Sequence, residues 1–213
     1  MLSDNDRELL NKRIAEAEEL TKAQIVLATI NRCDNYAEVP WKAFAIGVSI
    51  AAFIVFLADL FILRWVTDSL VLINVATILS TGAVLSLLTI FLPPFASLFV
   101  SKSRRETETI QYAESLFLNR ELFVTDGRRG ILLLVSRFEK QVVILPDTGV
   151  RQRLGNDIMK GIIAKITPYL RKNEVKNGLE TGLKEIIKAL RPPLSEGYDK
   201  KELSDEIIEE EGL

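Results

Sequence analysis

Two long runs of apolar residues interrupt a chain that is otherwise rich in charged side chains. Residues 43–63 contain one charged residue in 21 positions, and residues 69–92 contain none in 24. As helices these runs would extend over roughly 31 and 36 Å, enough to cross a hydrocarbon layer of about 30 Å. Only residues 64–68 separate them, so the pattern predicts a transmembrane hairpin within 41–100.

The segment before the hairpin changes from helical to strand-like periodicity. Leu10, Ile14 and Ala17 recur at helical spacing behind Ser3, which has Asp6 three positions later as in a capping box. This predicts a helix over 3–20. Residues 24–30 (QIVLATI) are rich in β-branched side chains and predict a strand.

The segment after the hairpin predicts three helices and a pair of strands. Apolar stripes at helical spacing indicate helices over 104–119, 158–170 and 175–190. The continuous apolar run 131–135 is typical of a strand covered on both faces, and 141–145 returns after a four-residue turn. Pro93 and Pro94 are expected to kink or end the second apolar helix.

These elements predict an α/β fold, a three-layer α/β/α sandwich interrupted by the two-helix hairpin. Helices on both faces of a short sheet give this architecture. The predicted strands and helices of this domain lie in 1–35 and 104–190. The remaining 191–213 carry eight acidic and three basic residues, a net charge of −5. We expect this acidic C-terminal segment to form a flexible tail or a lone amphipathic stretch.

Several motifs of the α/β part resemble the TPM domain family. They begin with Leu2–Asp6 and the pair of segments Glu18–Thr21 and Ala23–Val26, and they resume after the hairpin. The later motifs are Tyr112–Phe117, Gly130–Ser136, Asp147–Val150, Ile162–Tyr169, Asn177–Leu179 and Gly182–Leu183. The inserted hairpin is similar to that of an integral-membrane bacterial subgroup.

The resemblance implies service to membrane protein complexes, divalent cation binding and weak acid-phosphatase activity. The sequence departs from soluble members of the family at their glycine-rich turn, where it reads Leu145–Val150. Site inferences that depend on that turn therefore do not carry over.

Composition removes several classes of chemistry. The chain has no histidine, which excludes Ser-His-Asp and Cys-His catalysis and histidine-ligated zinc. Cys33 is the single cysteine, so no intramolecular disulfide forms. Residues 1–190 are net +3, without the basic face and aromatic platforms of a nucleic-acid-binding protein.

Three acids are candidate metal ligands because they flank predicted strands or begin a helix. Asp126 precedes the strand at 131, Asp147 follows the strand at 141, and Asp157 opens a helix. Carboxylates at strand ends suit Ca²⁺ or Mg²⁺, which take oxygen ligands. The structural alternative is strong, because Asp126 is a good turn residue and Asp157 suits a helix cap.

The sequence predicts a membrane-anchored accessory module that assists the assembly, maintenance or regulation of a membrane protein complex. The sequence does not decide whether the protein is an enzyme, and the absence of a recognisable catalytic motif favours a role without catalysis. One alternative is a divalent-cation-dependent weak phosphatase, and another is an anionic-lipid-binding module. The lipid hypothesis rests on four basic residues, Arg128, Arg129, Arg151 and Arg153.

The distribution of basic residues predicts the orientation in the plasma (inner) membrane. The outer flanks of the two spans offer five basic residues and the connecting loop offers only Arg64, so both termini are expected in the cytoplasm. Partners are then the lipid bilayer and another membrane protein or complex. The five flanking residues are Arg32, Lys42, Lys102, Arg104 and Arg105.

Two features of the hairpin leave alternatives open. Asp59 is either a proton or ion site, or a residue near the headgroups that pairs with Arg64. Small residues on both spans permit close helix contact, within the hairpin or with another protein. They are Gly47, Ser49, Ala51 and Ala52 on the first span, and Ser80, Gly82, Ala83 and Ser86 on the second.

Overall fold

The computed structural model describes residues 2–61, 68–191 and 207–212, which fall into two compact units. The α/β unit comprises 1–34 and 103–213, and the helical unit comprises 35–102. In the α/β unit the strands are β1 (Gln24–Arg32), β2 (Gly130–Ser136), β3 (Gln141–Pro146) and β4 (Ile208–Gly212). Its helices are α1 (Asp4–Thr21), α5 (Lys102–Asn119), α6 (Thr148–Arg151), α7 (Asn156–Arg171) and α8 (Val175–Ala189).

The helix α1 begins at the predicted capping box. The Ser3 hydroxyl accepts a hydrogen bond from the Asp6 N–H, and the Asp6 carboxylate accepts one from the Ser3 N–H. Lys22 adopts a left-handed conformation and ends the helix. The predicted helix over 3–20 is therefore confirmed.

The four strands form one mixed sheet in the order β3-β2-β1-β4. β1 runs parallel to both β2 and β4, whereas β3 runs antiparallel to β2. The predicted hairpin of 131–135 with 141–145 is confirmed by the pairing of Leu133 with Ile144. All seven residues of β2 are buried, as its continuous apolar sequence predicts.

Alternate residues of the central strands enter two separate hydrophobic clusters. Ile25 and Leu27 of β1 face a cluster that includes residues of α1, α7 and α8, whereas Val26 and Ala28 face one that includes residues of α5. Helices therefore cover both faces of the sheet, and the chain has the mixed α/β fold that the sequence predicts.

The end of the chain corrects one expectation. The sequence predicts a flexible tail or a lone amphipathic stretch over 191–213, but β4 within this segment pairs with β1. Residues 192–206 lie outside the described part. Ile207 enters the α1 side of the core and Ile208 the α5 side, so the segment alternates as an edge strand does.

The acids of β4 are held from both sides of the sheet. The Glu209 carboxylate accepts hydrogen bonds from Arg7 Nη2 at 2.5 Å and from the Leu2 N–H at 3.2 Å. Glu210, one position on, accepts a hydrogen bond from the Tyr112 hydroxyl and pairs with Arg120. Burial alone would raise the pKa of Glu209, but the Arg7 and Leu2 hydrogen bonds and the Arg7 charge lower it.

The helical unit is built on two 24-residue helices, α2 (Glu38–Phe61) and α3 (Asp68–Phe91). Both are long and apolar enough to cross a membrane. The short helix α4 (Pro93–Ala96) and a 3₁₀ turn over Ser97–Phe99 follow. Leu92 leaves the helical conformation before α4, so the predicted break at Pro93 is confirmed.

The small residues of the hairpin bring α2 and α3 together. A Cβ added at Gly82 would lie 2.6 Å from Val48 and 3.0 Å from the Phe44 ring, and one at Gly47 would lie 3.0 Å from the Gly82 Cα. Gly47 and Ala51 are also buried. These glycines therefore serve the contact within the hairpin, which was one of the two alternatives.

Asp59 has a partner on the opposite helix. Its carboxylate accepts a hydrogen bond from Asn74 Nδ2 at 3.3 Å. Arg64, the partner suggested by the sequence, lies outside the described residues. The Asp59–Asn74 hydrogen bond therefore joins α2 to α3, in addition to the close contact at Gly47 and Gly82.

A leucine at Gly82 tests the close contact of α2 with α3. Gly82→Leu should destabilise the helix pair by about 1–3 kcal/mol, since overpacking displaces Val48 and Phe44. Ala83→Leu is the matched control, because Ala83 is exposed one position away. Unfolding of the detergent-solubilised protein by SDS titration measures both, and equal effects of the two variants would contradict the contact.

The Arg7–Glu209 pair predicts an acid-dependent contribution to stability. Because the pKa of Glu209 is lowered on folding, its contribution is present above the ordinary glutamate pKa and is lost as pH falls through the folded value. Glu209→Gln should cost about 1 kcal/mol at neutral pH, after allowance for the partly exposed Arg7. Its difference from wild type should shrink on acidification.

Urea unfolding followed by circular dichroism in detergent, at neutral and acidic pH, measures this difference. Glu8→Gln changes an exposed acid on the same helix as Arg7 and should have little effect at either pH. A Glu209→Gln effect that stays constant with pH would show that the carboxylate charge does not hold β4.

Candidate functional site

The three predicted metal ligands lie in different settings. Asp147 caps α6 and accepts a hydrogen bond from the Thr148 N–H at 2.6 Å, and its buried carboxylate pairs with Arg128 Nε at 2.8 Å. Asp126 lies in an exposed 3₁₀ turn, Asp126–Arg128, and Asp157 is exposed in the first turn of α7. The buried carboxylate of the set thus has an arginine as its partner.

Two of these acids lie in loops that touch each other. A side chain at Gly149 would overlap the carbonyl oxygens of Gly127 and Arg128, so the loop after β3 packs tightly on the turn before β2. Within the ranges 2–61, 68–191 and 207–212, no three Cys, Asp or Glu side chains are grouped to hold a metal ion. The assignment of Ca²⁺ or Mg²⁺ to Asp126, Asp147 and Asp157 stays a prediction.

The basic residues considered for lipid binding do not form one uniform exposed patch. Arg128 is paired with Asp147, and Arg153 Nη1 donates a hydrogen bond to the Leu190 carbonyl at 3.1 Å. Arg151 is exposed, whereas Arg129 is partly buried.

A buried polar cluster surrounds Cys33 where β1 ends. The Cys33 N–H donates to Glu139 Oε1 at 3.0 Å, and the Ser136 hydroxyl donates to the other carboxylate oxygen of Glu139. Burial, followed by the charge of Glu139, raises the pKa of the Cys33 thiol to about 12. Since the thiolate is the nucleophilic form, this position is unsuited to cysteine catalysis.

A cavity of about 260 Å³ opens at the carboxyl end of β1, on the face that α1 and α8 cover. Thr29 of β1, Arg137 after β2 and Glu209 of β4 line it from the sheet. The start of α1 contributes Leu2 and Asp6, and the start of α8 contributes residues 173–177. Ligands of α/β proteins usually bind at this end of parallel strands.

Ion pairs neutralise two of the acids that line this cavity. Lys176 Nζ lies 2.6 Å from Asp6 Oδ1, and Arg7 holds Glu209. The hydrogen bond from Lys176, with those from Ser3, lowers the pKa of Asp6 to about 2. The start of α1 and the start of α8 are thereby joined beside the cavity.

The sequence prediction placed its candidate site at the opposite edge of the sheet. Asp126 precedes β2, and Asp147 follows the antiparallel β3, so both lie at the amino edge, where the Asp147 N–H donates to the Gly130 carbonyl. Two features of the sequence could have indicated a site at the carboxyl edge. Thr29 is a polar residue within an apolar strand, and Arg137 is the first residue after β2.

Comparison with known proteins agrees with this fold. Residues 96–189 match the family model of the TPM domain. No curated protein matches the chain.

The chain is similar to a solved structure, the NMR structure of BA42 protein from the psychrophilic bacterium Bizionia argentinensis. Its sequence is 15% identical, the match covers 98% of this chain and 95% of that chain, and the TM-score is 0.57. At this identity the likeness concerns the fold alone. The family match covers residues 96–189, which include β2, β3 and the helices α5 to α8, so this part of the chain is similar to the TPM domain.

Proposed function

We propose that this chain is a TPM domain protein, that α2 and α3 anchor it in the plasma (inner) membrane, and that it assists a membrane protein complex. Its service would be assembly, maintenance or regulation, with the α/β unit as an interaction module in the cytoplasm. The observation that carries the proposal is the apolar surface that the two helices expose.

That surface is too extensive for water-exposed helices. In the most apolar windows of α2 and α3, only 11% and 6% of the residues are buried. Phe53 is 61% exposed and Leu72 is 72% exposed, and many aliphatic neighbours are similar. Soluble monomers rarely expose contiguous apolar patches of this extent, whereas lipid would cover them favourably.

The flanking basic residues support the orientation. The positive-inside rule counts lysine and arginine rather than net charge, so Arg104 still contributes although it pairs with Asp34 and Glu108. Lys102 and Arg105 lie beside it, and Arg32 and Lys42 flank the other end of the hairpin. In the proposed orientation, the residues between α2 and α3 lie outside the cytoplasm.

An interaction role fits the α/β unit better than catalysis. The chain lacks histidine, and the Cys33 thiol is buried. A cation-dependent phosphatase would depend on the acid set that includes Asp147, and the lipid-binding alternative depends on basic residues that include Arg128. These two side chains pair with each other, so each alternative has one of its residues already engaged. The service to membrane complexes that the TPM resemblance implies supports the same conclusion.

Cysteine labelling in intact cells tests both the anchor and its orientation. Val66→Cys should react with a membrane-impermeant maleimide, whereas Glu114→Cys, on the exposed side of α5, should react only after permeabilisation. Native Cys33 needs no replacement, because burial raises the pKa of its thiol to about 12. The unmodified chain is the blank.

The pattern of labelling separates the ways in which the proposal can fail. If neither cysteine reacts until permeabilisation, the hairpin does not cross the membrane. If Glu114→Cys reacts in intact cells and Val66→Cys does not, the orientation is reversed.

Site-specific photo-crosslinking in native membranes tests the partner. A photo-reactive residue at Ile54, which is 60% exposed, or at Val124, which is 63% exposed, should form a discrete adduct with a reproducible membrane protein. The same residue at Ala51 is the control, because Ala51 is buried and should crosslink only within the chain. Absence of any discrete protein adduct from both exposed positions would contradict the accessory role.

A further inference from the structure

The first turn of α8 presents unused backbone donors to the cavity at the carboxyl edge of the sheet. No side chain caps this 15-residue helix. Within the described chain, the N–H groups of Val175, Lys176 and Asn177 have no hydrogen-bond acceptor. Free N–H groups and the helix dipole make such a terminus favourable for an anion.

A second, independent feature of the same cavity is the hydroxyl of Thr29. Thr29 lies on the α1 and α8 side of β1, as Ile25 and Leu27 do, and is only 2% exposed. Its Oγ1 has no hydrogen-bond partner among the residues that the structure describes. Because a buried hydroxyl without a partner is costly, this group is explained by a ligand that it would donate to.

Arg137 supplies a positive charge beside these donors. Its Nη1 donates a hydrogen bond to Asn31 Oδ1 at 3.2 Å, which leaves the rest of the guanidinium available. No carboxylate of the described residues pairs with it. Lys176, the other basic residue that lines the cavity, is occupied by Asp6.

The acids of the cavity determine how much negative charge a ligand can carry. The negative charges of Asp6 and Glu209 are balanced by Lys176 and Arg7. Among the residues that line the cavity, the remaining charges are those of Glu174 and Arg137. The Glu174 carboxylate already accepts a hydrogen bond from Asn177 Nδ2 at 3.1 Å. A dianion would be repelled more strongly than a monoanion, and a planar carboxylate matches the guanidinium fork.

We propose that this cavity binds the carboxylate group of a small molecule. Arg137 pairs with the carboxylate, the α8 N–H groups and the Thr29 hydroxyl donate hydrogen bonds to it, and the α1 ion pairs close the side of the cavity. The volume of about 260 Å³ admits only a compact ligand. The site is distinct from the acids at the amino edge and does not depend on the membrane proposal.

Sodium acetate is the probe for the full chain in a non-ionic detergent, with sodium chloride keeping the ionic strength constant. Backbone amide NMR shifts of Thr29, Lys176 and Asn177 should change and saturate on titration. Arg137→Gln should weaken binding at least about tenfold, because it removes a charged hydrogen-bond partner. Arg137→Lys should recover part of this loss, and Arg151→Gln, an exposed arginine elsewhere, should bind as wild type does.

Thr29→Val distinguishes a ligand contact from a structural role. It keeps the side-chain shape and removes the unpaired hydroxyl, so the melting temperature should be unchanged or higher while acetate binding weakens by about threefold or more. A lower melting temperature with unchanged binding would overturn the role of Thr29. Equal shifts with chloride, or unchanged binding in Arg137→Gln, would overturn the site, and tighter binding of inorganic phosphate would overturn its assignment to a carboxylate.

Discussion

The parallel pairing of β1 with β2 is the contact on which the architecture depends. It joins strands that lie on either side of the inserted helices, in a register that sets Gln24 against Gly130 and Ile30 against Ser136. Both strands are covered on both faces, so their backbone groups need partners within the protein, and they pair with each other and with the neighbouring strands. The register therefore fixes which residues of the α/β unit lie together at each end of the two strands.

The points where the chain leaves and re-enters the α/β unit are tied together near the end of β1. Asp34 pairs with Arg104 at 3.0 Å, and the Cys33 N–H donates to Glu139 in the turn after β2. Cys33 Sγ also lies 3.8 Å from Thr109 Oγ1 of α5. These contacts allow the helical unit to be inserted without separating the two halves of the sheet.

The two edges of the sheet have different chemistry, and strand direction is the cause. The antiparallel β3 returns the chain to the amino edge, where Asp147 pairs with Arg128 in a tightly packed loop. At the carboxyl edge, the parallel strands and two helix starts converge around Thr29 and Arg137. The first edge is packed and internally paired, whereas the second leaves donors unused.

The sequence by itself determined the local elements. The capping box at Ser3, the buried run of β2, the stripes of α7 and α8, and the two apolar helices all follow from short-range spacing, and the structure confirms them. The periodicity of apolar residues predicts which face of each element is buried, and it can be read within each segment alone.

Only the tertiary structure decided the role of the acidic end and the position of the cavity. Glu209 and Glu210 resemble a solvated charge run in the sequence, yet β1 pairs with them as a strand and Arg7 and Arg120 neutralise them from opposite faces. Thr29 and Arg137 are more than 100 positions apart, so only the β1–β2 register brings them to one cavity. Such contacts depend on strand direction and register, which residue spacing within a segment does not encode.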